Sequence, residues 1–296
     1  MRRIRPRHEG VTLIEMVVAI VVVGIILAAT IFFAYPLRQA VDTRARAELT
    51  DTADNALQRI GREVRLALPN SVRVTSNSGS LFIELIPVRT AGRYRGESTG
   101  TACAAGTDEL AFDATDTCFK TIGEMPDVAS VVTNKDFLVF NNFGDGFDGQ
   151  NAYATAGTLN RRLITALADE GTRDAVTFND LGTPLQRTLH DSPGRRFYIV
   201  EGNGTAPSPV SYECTPPVLR RWSGYALSAA QPTSFAGGTA ALLADNVASC
   251  AFDYQPSGVG PRIGLLTLQI GLQKALSGGS FEQVGLYHAV HVNNVP

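Results

Sequence analysis

Residues 1–35 read MRRIRPRHEGVTLIEMVVAIVVVGIILAATIFFAY, a basic segment followed by a long apolar one. Between Val11 and Tyr35 the only side chain that is charged at neutral pH is Glu15. About 25 residues at 1.5 Å each would form a helix of about 37 Å, longer than the ~30 Å hydrocarbon core of a bilayer. The stretch therefore predicts a membrane-spanning helix. The arginines that precede it favour a cytoplasmic N-terminus and export of the rest of the chain: Arg2, Arg3, Arg5 and Arg7.

Three interpretations of this segment compete. A conventional secretory peptide would have a shorter apolar core and a small-residue cleavage site at its far end, whereas here Ala28-Ala29-Thr30 leads into more apolar sequence. A plain signal anchor fits the length but gives no reason for Glu15. A carboxylate inside an apolar helix costs roughly 2.5–3.5 kcal/mol on insertion scales, and such a residue indicates a functional site by default.

The third interpretation accounts for the acid. The run Gly10-Val11-Thr12-Leu13-Ile14-Glu15 resembles the prepilin processing motif of type IV pilins and type II secretion pseudopilins. In that family a dedicated peptidase cuts after the glycine and methylates the new N-terminus. The resemblance implies cleavage between Gly10 and Val11, an N-methylated Val11, and an assembly role for Glu15. A glutamate four residues on can neutralise the new ammonium of a neighbouring subunit, and two charges that are costly alone become tolerable as a pair.

Beyond Pro36 the sequence becomes amphipathic. Apolar residues recur at spacings of three and four, which is the period of a helix with one buried face: Val41, Ala45, Leu49, Ala53, Leu57, Ile60, Val64 and Leu68. We expect one helix from about Thr12 to Leu68, kinked near Pro36 and closed by Pro69. Its second half would pack on the protein's own sheet, and its first half would be left bare for neighbouring subunits.

The remainder of the chain predicts strands and loops. Alternating residues from Leu266 to Leu272 and from Val284 to Val292 predict two half-buried strands joined by a turn at Ser277–Ser280. Further predicted strands are Leu81–Val88, Phe137–Phe140, Phe197–Val200, Val210–Cys214, Trp222–Leu227 and Ala248–Tyr254. A short helix is predicted at Leu159–Leu167, and surface loops are predicted at Thr90–Ser130 and Ala229–Gly238.

These patterns together predict an α+β, pilin-like fold, with a long N-terminal helix on an antiparallel sheet and long disulfide-closed loops. The predicted domain organisation has four parts: a basic leader at 1–10, a transmembrane or filament-core helix at 11–35, an amphipathic helix at 36–69, and an exported β-rich domain at 70–296.

Four well-spaced cysteines in an exported domain predict two disulfides. The sequence allows three pairings. We expect the sequential one, Cys103–Cys118 and Cys214–Cys250, because its first loop is short. In the chain-entropy model each bond contributes about 3–4 kcal/mol.

Signals for catalysis and cofactors are absent or ambiguous. The sequence contains no P-loop, no dinucleotide-binding glycine fingerprint, no H-E-x-x-H and no nucleophile elbow, so we expect no enzyme activity and no cofactor. A net charge of −2 gives no electrostatic reason to expect nucleic acid as the main partner. The glycine-rich stretch with Asp145 and Asp148, preceded by Asn141-Asn142, could hold calcium, and an ordinary loop is the alternative.

The resemblance extends beyond the motif. The stretch Arg44–Leu68 with its continuation to Val72, and the tail Leu286–Pro296, are similar to minor pilins of the mannose-sensitive haemagglutinin (MSHA) class. J-type pseudopilins of type II secretion are the closest alternative, and a surface adhesin or DNA-binding minor pilin is another. The implied partners are the prepilin peptidase, other major and minor pilins and an inner-membrane assembly platform. The implied location is the inner membrane, with one span and a periplasmic C-terminal domain, and then the pilus surface.

Overall fold

Helix α1 (Leu13–Arg65) is continuous over 53 residues, including Pro36. The computed structural model describes residues 10–104, 106–113, 115–147, 149–155, 160–182, 192, 194–256, 263–276 and 279–295, without the side chains of 31 and 33–42. At 1.5 Å per residue the helix is about 80 Å long. It ends three residues earlier than the sequence predicted. The segment after it pairs with another part of the chain, because Leu68 N–H donates to the Ile86 carbonyl and Val88 N–H to the Leu66 carbonyl.

The predicted buried face of the second half of α1 is confirmed. Its apolar residues are almost inaccessible, since they pack into the main hydrophobic core: Ala45, Leu49, Ala53, Ala56, Leu57, Ile60 and Val64. The side chain of Val41 lies outside the described residues. The first half of the helix has no such cover, and the whole window Leu13–Thr30 is unburied in the monomer.

Sixteen strands are present in the described residues, and every paired strand is antiparallel. The strands are β1 (Arg73–Asn77), β2 (Ser80–Leu85), β3 (Val88–Arg93), β4 (Ala102–Cys103), β5 (Gly106–Thr107), β6 (Cys118–Lys120), β7 (Phe137–Phe140), β8 (Arg161–Asp169), β9 (Asp174–Phe178), β10 (Arg196–Val200), β11 (Val210–Thr215), β12 (Val218–Ser223), β13 (Thr239–Ala244), β14 (Val247–Pro256), β15 (Ile263–Ala275) and β16 (Phe281–Asn293). A short 3-10 helix occupies Val128–Ser130.

The strands form two lobes. In the helix lobe, a five-stranded sheet (β1-β2-β11-β12-β13) and a three-stranded sheet (β14-β15-β16) enclose the second half of α1. The helix contacts β15 and β16 and the edge strand β13. In the six-stranded lobe, the sheet β3-β10-β7-β8-β9-β6 is packed with aromatic rings, among them Phe119, Phe140 and Phe197. A small hairpin, β4-β5, completes the described strands.

Helix α1 and strand β16 run side by side in the same direction. Arg46 lies 3.5 Å from Glu282 near one end of the contact, and Gly61 faces His288 and Val290 further along. The helix advances about 22 Å between Arg46 and Gly61, and the strand advances about 20 Å between Glu282 and His288. The helix and the strand therefore advance in the same direction by nearly the same distance along this contact.

The predicted β15–β16 hairpin is confirmed, and both strands are longer than the alternation indicated. The two strands of 13 residues pair along their whole length, with Leu268 opposite His288. Residues 277–278 of the predicted turn lie outside the described residues.

Two sequence predictions are wrong in detail. The helix expected at Leu159–Leu167 is strand β8 from Arg161 onward, because pairing with β7 and β9 overrides the local helix preference. The strand expected at Leu81–Val88 is split, since β2 ends at Leu85 and β3 begins in the other lobe after Pro87. Proline has no N–H for a sheet ladder, and it marks the point where the chain changes sheet.

Two further boundaries differ from the predictions. Strand β12 ends at Ser223, and Gly224 with φ of 76° turns the chain out of the sheet, so the strand expected at Trp222–Leu227 is displaced. The expected loop Thr90–Ser130 holds most of β3 and all of β4, β5 and β6. The loop expected at Ala229–Gly238 is confirmed, since it contains no helix or strand.

Two disulfides cross-link the fold. Cys103 in β4 is bonded to Cys118 at the start of β6, which closes a local loop in the six-stranded lobe. Cys214 in β11 is bonded to Cys250 in β14, which joins the five-stranded sheet to the three-stranded sheet around the helix. The second bond therefore ties together the two layers that hold α1.

Gly61 allows close packing between α1 and β16. A Cβ at this position would lie 2.9 Å from Nε2 of His288 and 3.3 Å from Cγ2 of Val290. We expect Gly61→Leu to lower the free energy of unfolding by about 1–3 kcal/mol, because overpacking outweighs the higher helix propensity of leucine. Denaturant unfolding followed by the fluorescence of Trp222, the single tryptophan, measures the change.

The matched control is Gly24→Leu in the same helix, where an added Cβ meets no atom within 4 Å in the monomer. Its unfolding midpoint should equal that of the wild type. Equal midpoints for both variants would show that Gly61 is not needed for the contact.

Candidate processing and assembly site

The N-terminus of α1 is set by Thr12. Its backbone is extended (φ −76°, ψ 151°), and its hydroxyl accepts a hydrogen bond from the Glu15 N–H at 3.4 Å. Its carbonyl accepts from the N–H groups of Glu15 and Met16. A threonine three residues before a glutamate is the spacing of a capping box. The capping role of Thr12 was not among the sequence predictions, although the T-x-x-E pattern is sufficient to indicate it.

Gly10 and Val11 precede the cap as exposed, irregular chain. No atom of the described residues lies within 4 Å of a Cβ added to Gly10, and the φ of Gly10 is not in the left-handed region. The part of the chain that the structure describes therefore gives neither a steric nor a conformational reason for glycine at this position.

Glu15 differs from the other polar residue in the apolar window. From Leu13 to Thr30 the only polar side chains are Glu15 and Thr30. The Thr30 hydroxyl donates to the Ile26 and Leu27 carbonyls at 2.8 and 2.9 Å, so it is satisfied within the helix. The Glu15 carboxylate is exposed and makes no hydrogen bond or ion pair with any described residue. Its position in the first turn is favourable for a negative charge, since the helix dipole is positive there.

The surface around Glu15 is apolar on all sides. The window Leu13–Thr30 has a mean hydropathy of 2.7, and its large side chains are exposed, Leu13 by 83% and Ile14 by 72%. A helix that is apolar all round and bare in the monomer requires lipid or other apolar helices around it. In such surroundings a charged carboxylate without a partner is costly.

Only part of the calcium candidate lies within the described residues. Asp145 is exposed and one of its carboxylate oxygens accepts from the Gly146 N–H, while Asp148 lies outside the described residues. The amide of Asn142 is used within the fold, donating to the Pro69 carbonyl and accepting from the Ala152 N–H. Across the described ranges no group of three or more histidine, cysteine, aspartate or glutamate side chains is placed to hold a metal ion.

Glu84, a buried acid in strand β2, contributes to the stability of the helix lobe. Glu84 is fully buried, where it accepts from Arg73 Nε at 2.5 Å and from the Tyr225 hydroxyl at 2.9 Å. Arg73 also donates to the Ser228 and Ala229 carbonyls. Burial raises the pKa of Glu84 above its ordinary value, and Arg73 opposes the rise. The pair fixes the loop after β12 to strands β1 and β2.

The fold and the N-terminal site define a class of protein. The chain is α+β and pilin-like, with one apolar helix, near its N-terminus, that is long enough to cross a membrane and antiparallel sheets around the second half of that helix. Residues 5–31 match the prokaryotic N-terminal methylation motif. Comparison of the chain with curated proteins and with solved structures finds no match. The motif supports a type IV pilin-like protein, a class that includes pseudopilins, and the apolar helix fits a membrane-anchored, single-pass protein.

Proposed function

We propose that the protein is a structural, non-catalytic subunit of a type IV pilus-like filament, a minor pilin similar to those of the MSHA class. The observation that supports this role is Glu15, an acid in the first turn of a bare apolar helix that pairs with none of the described residues. A J-type pseudopilin of a type II secretion system is the alternative, and it would use the same site.

The proposed processing removes the leader 1–10 by cleavage between Gly10 and Val11. The new amine on Val11 is then methylated. Arginines in the leader hold the N-terminus in the cytoplasm, and residues 11–35 span the inner membrane. The amphipathic segment 36–69 carries the domain 70–296 in the periplasm.

In assembly the Glu15 carboxylate forms an ion pair with the N-terminal ammonium group on Val11 of a neighbouring subunit. Either charge alone is costly in an apolar bundle, and together they offset each other. Thr12 supports the pairing because its capping bond holds the first turn of α1, and therefore Glu15, in helical geometry. The apolar faces from Leu13 to Thr30 leave lipid and pack against the helices of other pilins.

The proposed partners are the prepilin peptidase, other pilins and an inner-membrane assembly platform. In the resembled family the subunit at the tip often lacks this glutamate, because no subunit above it supplies an ammonium. Since Glu15 is present, we place the chain in a tip or initiation complex, below its topmost member.

Mass spectrometry of the N-terminus tests the proposal. In intact cells we expect the mature chain to start at Val11 and to be heavier by one methyl group. The control is the same chain in cells that lack prepilin peptidase, where residues 1–10 should remain and the methyl group should be absent. Filament-incorporated protein that keeps the leader would contradict the proposal.

A further inference from the structure

A cavity of about 180 Å³ lies in the six-stranded lobe. Its walls include two arginines, an amide and a hydroxyl together with apolar side chains: Arg161, Arg162, Asn179, Thr205, Phe137 and Leu163. The described residues that line it include no aspartate or glutamate. Strands β7 and β8 supply one side of the cavity, and the segments after β9 and β10 supply the other.

Arg161 is the unusual residue in this cavity. It is only 8% exposed, and a single hydrogen bond from its side chain is present, from Nη1 to the Ala152 carbonyl at 2.6 Å. Among the described residues no carboxylate lies within 4 Å of its guanidinium. Burial lowers the pKa of Arg161 to about 10, so the group is still charged at neutral pH. A guanidinium has five N–H donors, and a buried charge without a counter-ion is costly.

The side-chain amide of Asn179 adds donors to the cavity. The Oδ1 atom of Asn179 accepts from the Leu163 N–H at 2.8 Å, which leaves its amide N–H groups as donors. Arg162 is 2% exposed, and its Nη1 donates to the Arg161 carbonyl. Burial lowers the pKa of Arg162, and the charge of Asp180 opposes that effect.

We propose that this cavity binds a small oxyanion, a phosphate or carboxylate group, with the Arg161 guanidinium as its main partner. The oxyanion supplies the negative charge that Arg161 lacks, and planar guanidinium groups bind such oxygens through paired, charge-assisted hydrogen bonds. This binding activity is separate from filament assembly and does not rest on it.

Equilibrium dialysis of the full chain in detergent micelles tests the site, with radiolabelled inorganic phosphate and acetate as two separate probes. Saturable binding of either probe to the wild type is expected, and Arg161→Met should weaken it by about tenfold or more, the amount that loss of a charge-assisted hydrogen bond produces. Tighter binding of one of the two probes identifies whether the cavity takes a phosphate or a carboxylate group. The matched control is Arg44→Met on the exposed face of α1, which should bind as the wild type does.

Thermal unfolding separates binding from a merely structural role for Arg161. In anion-free buffer Arg161→Met should unfold at the same temperature as the wild type or a higher one, because it removes an uncompensated charge. Phosphate should then raise the wild-type midpoint by more than that of the variant. If Arg161→Met fails to fold, Arg161→Lys keeps the charge and should bind more weakly than the wild type. Absence of saturable binding of both probes to the wild type would overturn the proposal, as would equal binding by a folded Arg161→Met.

Discussion

A chain with Glu15→Ala is expected to insert into the membrane normally and to enter filaments roughly a hundredfold less than the wild type. In the proposed assembly the alanine leaves a neighbouring ammonium unpaired in an apolar bundle. Removing one partner of a buried ion pair costs about 3–5 kcal/mol, which corresponds to a factor of a hundred or more. Quantitative immunoblotting of sheared filaments and of membranes measures the two pools.

Two further variants isolate the charge as the cause. Glu15→Gln keeps a polar side chain of similar size and should be as defective as Glu15→Ala. Thr30→Ala removes the other polar group of the window and should assemble normally, since its hydroxyl bonds only to carbonyls of its own helix. Wild-type amounts of Glu15→Ala in filaments would show that no ammonium is paired there.

The disulfide between β11 and β14 should carry the largest effect on stability. Replacing Cys214 and Cys250 together by alanine is expected to lower the free energy of unfolding by about 4 kcal/mol. The bond closes a loop with a sequence separation of 36 and joins the two sheets that hold α1. Trp222 in β12 neighbours Cys214's strand, so its fluorescence in a denaturant titration reports this lobe directly.

The second disulfide is a matched comparison. Cys103 and Cys118 close a loop with a separation of 15, for which the same model gives about 3 kcal/mol. This bond lies within the six-stranded lobe, so its removal should expose the segment 90–130 to limited proteolysis and shift the Trp222 transition less. A larger shift of that transition from the Cys103–Cys118 pair would refute the assignment of the two bonds to separate lobes.

The long helix and the last hairpin could be predicted because their signals are local. A period of 3.6 identified the face from Ala45 to Val64, and strict alternation identified β15 and β16. The division into two lobes could not be predicted in this way. It depends on which strands pair across long sequence distances, as in the contact of β10 with both β3 and β7.

The two candidate sites also differ in whether a local sequence signal predicts them: Glu15 has such a signal, and the oxyanion cavity does not. Glu15 is conspicuous in the sequence because a charge interrupts an apolar run. Arg161 was assigned to a short helix, where two adjacent arginines would be ordinary surface residues. Its burial follows only from the pairing of β8 with β7, which places Arg161 opposite Val139. The sequence therefore held no local sign of the cavity.

The parallel course of α1 and β16 also determines how the protein bears mechanical load. A pull on the membrane end of the helix acts along the contact with β16, so it loads that contact in shear rather than peeling it open one residue at a time. Near the loaded end, the ion pair Arg46–Glu282 joins α1 to β16, and Lys274–Glu48 at 2.6 Å joins α1 to β15. Traction on the membrane end of the helix is thus distributed over the length of its contact with β16.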